Sequence, residues 1–304
     1  MLAVAIVAMV VFRLPERLLF WMVYQAALSG FAWAQYKIGC FYYVGADFQI
    51  AVDWFLKAAE KGHSWAQHAL GICYKQGLGV SRDDETAAEW YRKAAESGCG
   101  IAQYWLARCY LCGCGVSVDY EQAVKWLRKA ASHGEVDAMR DLGWCYSEGI
   151  GVDVDKRKAA RLFLKVAERG DESCQLEVGI CYLDGAGFSE NDRRANYWFL
   201  KAAEQGNAEA QVRYGLHLEC SAVKPEDLSE AISWYRKAAD GGYTVAYQVL
   251  ADCYFVGKGV PRSAKRAYDY YRQAAALGFK PAIEMLQNSR LDPTDDDINL
   301  RIEV

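Results

Sequence analysis

The chain has 304 residues, 53% hydrophobic and 24% charged, with 35 Lys+Arg against 39 Asp+Glu, 26 Gly and only 5 Pro, which excludes a disordered or collagen-like chain. Residues 291–304 alone carry the whole net charge of −4. Residues 1–290 are therefore neutral and lack the basic stripe that nucleic acid requires and the polybasic segment that anionic lipid requires. With 44 alanines, the best helix former because it loses no side-chain entropy, the chain is weighted toward helix.

Met1 to Phe12 is an apolar run, shorter than the roughly 20 residues needed to span a bilayer. Segment 1–14 reads either as a packed or capping helix or as a targeting or anchoring segment, and membrane association through it stays open. Pro15 to Leu28 follows, with Ala26-Ala27 and Gly30 in register with Ala58-Ala59 and Gly62. This is the second helix of a partial repeat, 15–30.

From there a 36-residue period governs the chain. Gly62, Gly98, Gly134, Gly170, Gly206, Gly242 and Gly278 are evenly spaced, and each follows, with small variations, an aromatic pair and an alanine pair such as Trp90-Tyr91-Arg92-Lys93-Ala94-Ala95. Ala51, Ala87, Ala123, Ala159, Ala195, Ala231 and Ala267 stand three residues before the first aromatic position, on the same helix face. Seven residues before it stand Asp47, Asp83, Asp119, Asp155, Asn191, Asp227 and Ser263, all suited to N-cap the second helix of a unit. The recurring glycine then closes that helix in a left-handed conformation. The first helices carry a small residue (Gly39, Gly71, Ala107, Gly143, Gly179, Gly215, Ala251), expected where two helix backbones approach closely. Loops such as Gly77-Leu78-Gly79-Val80 join the two helices of a unit. The units are 31–62, 63–98, 99–134, 135–170, 171–206, 207–242 and 243–278, followed by a closing helix 280–289 opened by Pro281 and an acidic tail 291–304.

The Ala-x-x-x-Leu-Gly-x-x-Tyr-x-x-Gly-x-Gly-Val stretch, followed by Asp-x-x-x-Ala-x-x-Trp-Tyr-x-Lys-Ala-Ala-x-x-Gly and best kept in residues 66–98, resembles the Sel-1-like repeat family, a relative of the tetratricopeptide repeat. The resemblance covers about residues 31–290. It implies an all-α fold, an α-solenoid wound as a right-handed superhelix of about seven helix-turn-helix repeats with terminal capping helices. Departures are local: the first unit lacks four loop residues, Cys220-Ser221-Ala222-Val223-Lys224 replaces the glycine loop of the sixth, and Cys174 takes an alanine position in the fifth.

Five of the eleven cysteines, Cys73, Cys109, Cys145, Cys181 and Cys253, occupy one first-helix position and read as small buried apolar side chains. The odd count and the absence of an Asn-x-Ser/Thr sequon suit a reducing compartment, so the expected location is cytoplasmic, with membrane-associated or secreted locations as alternatives. Cys99, Cys109, Cys112 and Cys114 lie within sixteen residues but lack paired Cys-x-x-Cys knuckles, and no metal or cofactor is expected. Ser221-x-x-Lys224 matches one motif of β-lactam-recognising enzymes, a function linked to some members of the resembled family, but its partner motifs are missing. The Gly-x-Gly loops follow no strand and read as turns.

The expected function is a non-catalytic scaffold or adaptor that binds a partner protein, peptide or helix along the concave face of a superhelix. The alternatives are a β-lactam-binding or β-lactamase-like enzyme and a secreted or membrane-tethered host-interaction effector. Likeness to the tetratricopeptide repeat implies that first-helix positions −6, −3, +1, +4 and +5 from the small residue face inward. This nominates Trp33, Tyr36, Tyr43, Trp65, His68, Tyr104, Arg108, Arg140, Trp144, Glu148, Asp252 and Phe255 as partner-binding residues, with Trp65, Tyr104, Arg108 and Trp144 at the centre.

Overall fold

The computed structural model of the chain describes residues 16–221 and 225–288. Segment 1–14, the end of the predicted closing helix, the acidic tail and Lys224 lie outside the described residues. Among these there are sixteen α-helices and no strand. In chain order they are α1 (Glu16–Leu28), α2 (Ala32–Val44), α3 (Phe48–Ala59), α4 (Ser64–Gln76), α5 (Asp84–Glu96), α6 (Gly100–Cys112), α7 (Tyr120–Ser132), α8 (Val136–Glu148), α9 (Lys156–Ala167), α10 (Glu172–Leu183), α11 (Asp192–Glu204), α12 (Ala208–Ser221), α13 (Pro225–Asp240), α14 (Thr244–Val256), α15 (Ala264–Ala276) and α16 (Lys280–Asn288). Even-numbered helices from α2 to α14 open a repeat and odd-numbered ones close it. The chain divides into two compact units, Met1–Asp155 and Lys156–Val304. Within each unit a repeat's two helices pack on one another, and its second helix also packs on the first helix of the next repeat.

The alanine three residues before the aromatic pair is buried in every repeat, as its spacing predicts. Of the pair itself, the second residue is the core member: Phe55, Tyr91, Leu127, Phe163, Phe199, Tyr235 and Tyr271 are all buried. The first is shallower; Trp90, Trp198 and Trp234 are only half-buried. Lys57, Lys93, Lys129 and Lys237, one turn on, sit over Trp54, Trp90, Trp126 and Trp234 at 4.5, 4.1, 4.0 and 3.7 Å from the ring centres.

The small residue of the first helix has a reason different from the one its sequence suggests. A Cβ on Gly39 would lie 2.5 Å from the Phe55 ring, and one on Gly71 or Gly179 as close to Tyr91 or Phe199. The glycine accommodates the buried ring of the following helix, not the approach of two backbones. Backbone approach does occur elsewhere: a Cβ on Gly79 would run into the carbonyl of Phe48, at the start of the previous repeat's second helix.

The predicted N-caps form at Asp83, Asp119, Asn191 and Ser263, whose side chains accept backbone N–H bonds from the first turn. Two predicted caps differ. Asp47 makes no side-chain cap, because the shortened loop before it turns through Ala46 at φ +63° and leaves Asp47 out of the extended conformation that caps adopt. Asp227 lies inside α13, which starts at Pro225; proline's fixed φ suits a first helical position and moves the start two residues upstream. The recurring glycines all take positive φ, from +79° to +102°, with nothing within 4 Å of an added Cβ, so backbone conformation alone selects them.

A polar framework position escaped the sequence reading. Gln35, Gln67, Gln103, Gln175 and Gln211 are buried, and each donates Nε2 to the carbonyl of the alanine eight residues before it, at 3.1–3.2 Å. Each of these carbonyls also accepts the N–H of the glycine three residues on, at 2.9–3.1 Å, so the glutamine occupies its second lone pair.

Candidate partner-binding face

In the first unit the opening helices α2, α4, α6 and α8 present most of the nominated residues. Trp33, Tyr36 and Lys37 of α2, together with His63 and Trp65, line an open, mostly apolar cleft of about 360 Å³. His63 caps α4, its Nδ1 accepting from Ala66 N–H at 3.2 Å, and its ring stacks on Tyr36 at 4.8 Å. Burial pulls the His63 pKa below its ordinary value, and the nearby Lys37 charge acts in the same direction. On the rim, Trp65 is 50% exposed, which is unusual for so large an apolar side chain.

Further along, aromatic and charged groups alternate. Tyr91 stacks on Trp105 at 6.2 Å, Trp105 meets Tyr104 at 5.6 Å, and Lys75 caps the Trp105 ring at 4.7 Å. Arg108 on α6 reaches Asp141 on α8 at 3.3 Å, while Arg140 pairs with Asp137 and lies 3.9 Å from Asp141. Trp144, 38% exposed, and Glu148 continue α8 toward its end.

Not every nominated side chain is available to a ligand. His68 is only 7% exposed, edge-on to Trp65 and tilted over Tyr91; desolvation lowers its pKa to about 4, and its Nε2 has no hydrogen-bond partner among the described residues. It is a core histidine. Tyr43 is half-buried between Phe48 and Phe55. In the second unit, Phe255 packs against the cluster around Tyr254 and Tyr271, and Asp252, though exposed, accepts from Gln248 and Tyr271.

The nomination also missed residues. Lys37, Trp105 and Asp141 stand two positions before the small residue, a row the tetratricopeptide-like carry-over left out, and His63 belongs to the helix cap. The period itself held the signal, since Lys37, Ala69, Trp105 and Asp141 differ as freely as the nominated rows.

Two alternative chemistries gain nothing from the geometry. Cys99 and Cys112 stand at opposite ends of α6, about 20 Å apart at 1.5 Å per residue, and no group of three His, Cys, Asp or Glu that could hold a metal ion occurs among the described residues. Ser221 is exposed and its Oγ donates to the His217 carbonyl at 2.7 Å. The five recurring cysteines are buried, and desolvation pushes their thiols up to about 11, or about 12 for Cys253. No helix among the described residues is long and apolar enough to cross a membrane.

The Sel1 repeat model matches residues 34–63, 66–99, 100–135, 136–171, 173–207, 208–243 and 244–279. Among solved structures, the chain is similar to a Sel1 repeat protein from Oxalobacter formigenes at 29% identity and a TM-score of 0.67, over 79% of this chain and 96% of that one. It is also similar to a protective antigen of uropathogenic Escherichia coli with an SLR fold, at 32% identity and a TM-score of 0.62 over 88% of this chain, and it spans 66% of that longer protein. No curated protein matches the chain.

Proposed function

Because this chain belongs to the Sel1 repeat family, whose members generally serve as protein-interaction scaffolds, we propose that it is a non-catalytic adaptor that takes a peptide or helix of a partner protein along the first-helix face of its N-terminal unit. The observation that carries this reading is the half-exposed Trp65 beside the open cleft of Trp33, Tyr36 and His63. Large aromatic residues standing out of an otherwise packed framework are the anchors that interfaces use. Arg108, Arg140 and Asp141 supply charge farther along, which sets orientation more than affinity.

Site-specific photo-crosslinking tests the reading. A benzophenone side chain at position 65 or 33 should capture the same partner, while one at exposed Glu96 on α5 should not. Equal capture from position 96 would overturn the proposal.

The odd number of cysteines and the absence of an Asn-x-Ser/Thr sequon support a cytoplasmic location with all eleven as thiols. Mass measurement after alkylation of denatured, unreduced protein should then show eleven modified sulfurs. A mostly disulfide-bonded protein would instead favour a secreted or membrane-tethered effector. One feature supports the membrane-associated reading: α1, next to the apolar run, exposes Leu18, Trp21 and Met22.

A further inference from the structure

A second cleft lies in the other unit, bounded by α13, α14 and α15. It measures about 510 Å³ and is lined by Arg236, Tyr247, Tyr254, Arg266 and Tyr270. At its base Tyr254 is almost fully buried, stacked on Tyr270 at 5.7 Å with the rings 15° apart. Arg236 donates Nη2 to the Tyr254 hydroxyl at 2.9 Å, and Arg266 donates Nη1 to the same oxygen at 3.2 Å. The Arg266 guanidinium also lies 5.3 Å from the centre of the Tyr254 ring.

Two like charges are thus drawn to one neutral oxygen. Among the described residues neither arginine makes an ion pair with a carboxylate, although Asp240 and Asp269 line the same cleft. Each guanidinium has five N–H donors and gives one to the phenol, so most stay free for a ligand. Burial opposes ionisation of Tyr254, but the two guanidinium donors outweigh it and hold its pKa below the ordinary value. The phenol therefore fixes both arginines while neutralising neither.

Repetition shows that this pairing is local. Tyr74, Tyr110, Tyr146, Tyr182 and Tyr254 occupy one repeat position, and the two flanking positions are eighteen residues before and twelve after. Arg128 donates to Tyr146 from the first and Arg194 to Tyr182 from the second. Of the five tyrosines, only Tyr254 has arginine at both.

We propose that the α13–α15 cleft is an oxyanion site in which Arg236 and Arg266, positioned by Tyr254, bind the carboxylate or phosphate group of a ligand. Planar guanidinium forks match both groups bidentately, and a cleft of this volume admits the body of a small molecule or a peptide side chain along with the anion.

The test is NMR of the arginine Nε–Hε signals in the full chain, titrated with inorganic phosphate and separately with glutarate, against sodium chloride at matched ionic strength. Saturable shifts of the Arg236 and Arg266 signals are expected with phosphate, glutarate or both, and the stronger arm identifies the source of the anion. Arg236→Gln with Arg266→Gln should weaken binding by about tenfold or more. Tyr254→Phe keeps both charges but removes the oxygen that positions them, and should weaken it several-fold with both guanidinium signals still present. Shifts no larger than those with chloride, or binding that survives the double substitution, would overturn the site. Unchanged binding in Tyr254→Phe would overturn the positioning role.

Discussion

Gly71 lies beneath the ring of Tyr91, with room for a hydrogen and not for a methyl: a Cβ on residue 71 would stand 2.5 Å from Tyr91 Cδ1. Residue 71 sits on the first helix of its repeat and Tyr91 on the second, so the pair sets how closely the two can pack. The equivalent pair one repeat later is Ala107 with Leu127, both fully buried, where a smaller partner allows a larger one opposite. Gly71→Ala should therefore destabilise the fold by about 1–3 kcal/mol through overpacking. Tyr91→Leu in the same chain should recover part of that loss. Urea unfolding of the four chains measures the coupling, and strictly additive effects would show that ring and glycine do not compete for space.

Core depth separates two neighbouring aromatics. Phe199 is buried whereas Trp198 is half-buried, so Phe199→Ala should cost about 3–5 kcal/mol and Trp198→Ala clearly less. The sequence places both in one aromatic pair and does not say which of the two lies deeper. The thermal midpoints of the two variants rank them directly.

That gap indicates what the sequence made legible. Repeat length, helix ends and the buried alanine face were all readable, since each is set by a local rule acting on a residue type: a left-handed glycine, a capping oxygen, a small side chain. Which member of an aromatic pair points inward was not, because adjacent positions on a helix differ by only 100° and the choice depends on the helix packed opposite. The same limit left Lys37, Trp105 and Asp141 out of the nominated rows and put the buried His68 into them. Asp47 failed as a cap for a different reason, as four missing loop residues changed its backbone.

That shortened loop is itself testable. Ala46 has φ +63°, a left-handed conformation that costs a residue with a Cβ roughly 1–2 kcal/mol. Ala46→Gly relieves that cost but gains backbone entropy in the unfolded chain. The expected net result is a stabilisation of about 0.5–1 kcal/mol, seen as a higher urea midpoint. A lower midpoint would mean that the turn does not hold this conformation.

His68 ties stability to pH. Its pKa falls from 6.5 to about 4 in the folded protein because burial disfavours the charged ring. Between these values the unfolded chain binds a proton that the folded one refuses, so stability is fully present above about pH 6.5 and drains away as pH falls toward 4. The loss is up to about 3 kcal/mol from this group. His63, also lowered, acts in the same direction. His68→Gln should flatten the stability profile between pH 7 and 4 by close to one proton; an unchanged slope would mean that His68 is hydrated in solution.

The partner-binding reading rests on a separation between framework and face, and Trp65 and Tyr91 divide it. Tyr91 is fully buried and stacked on Trp105, so Tyr91→Ala should destabilise the fold by about 3–5 kcal/mol and impair binding only as a consequence. Trp65 leaves half its surface in water, so its truncation removes little core contact. Trp65→Ala should leave helicity and the melting midpoint nearly unchanged while weakening the partner captured from position 65 by about 2 kcal/mol or more, as an interface anchor does. Tyr104→Ala, half-buried against Trp105, should show a smaller binding loss with a measurable loss of stability. If Trp65→Ala unfolds the protein, the ring is a packing element and the cleft beside it is a by-product of repeat stacking. If the variant melts normally and binds normally, the partner uses another surface.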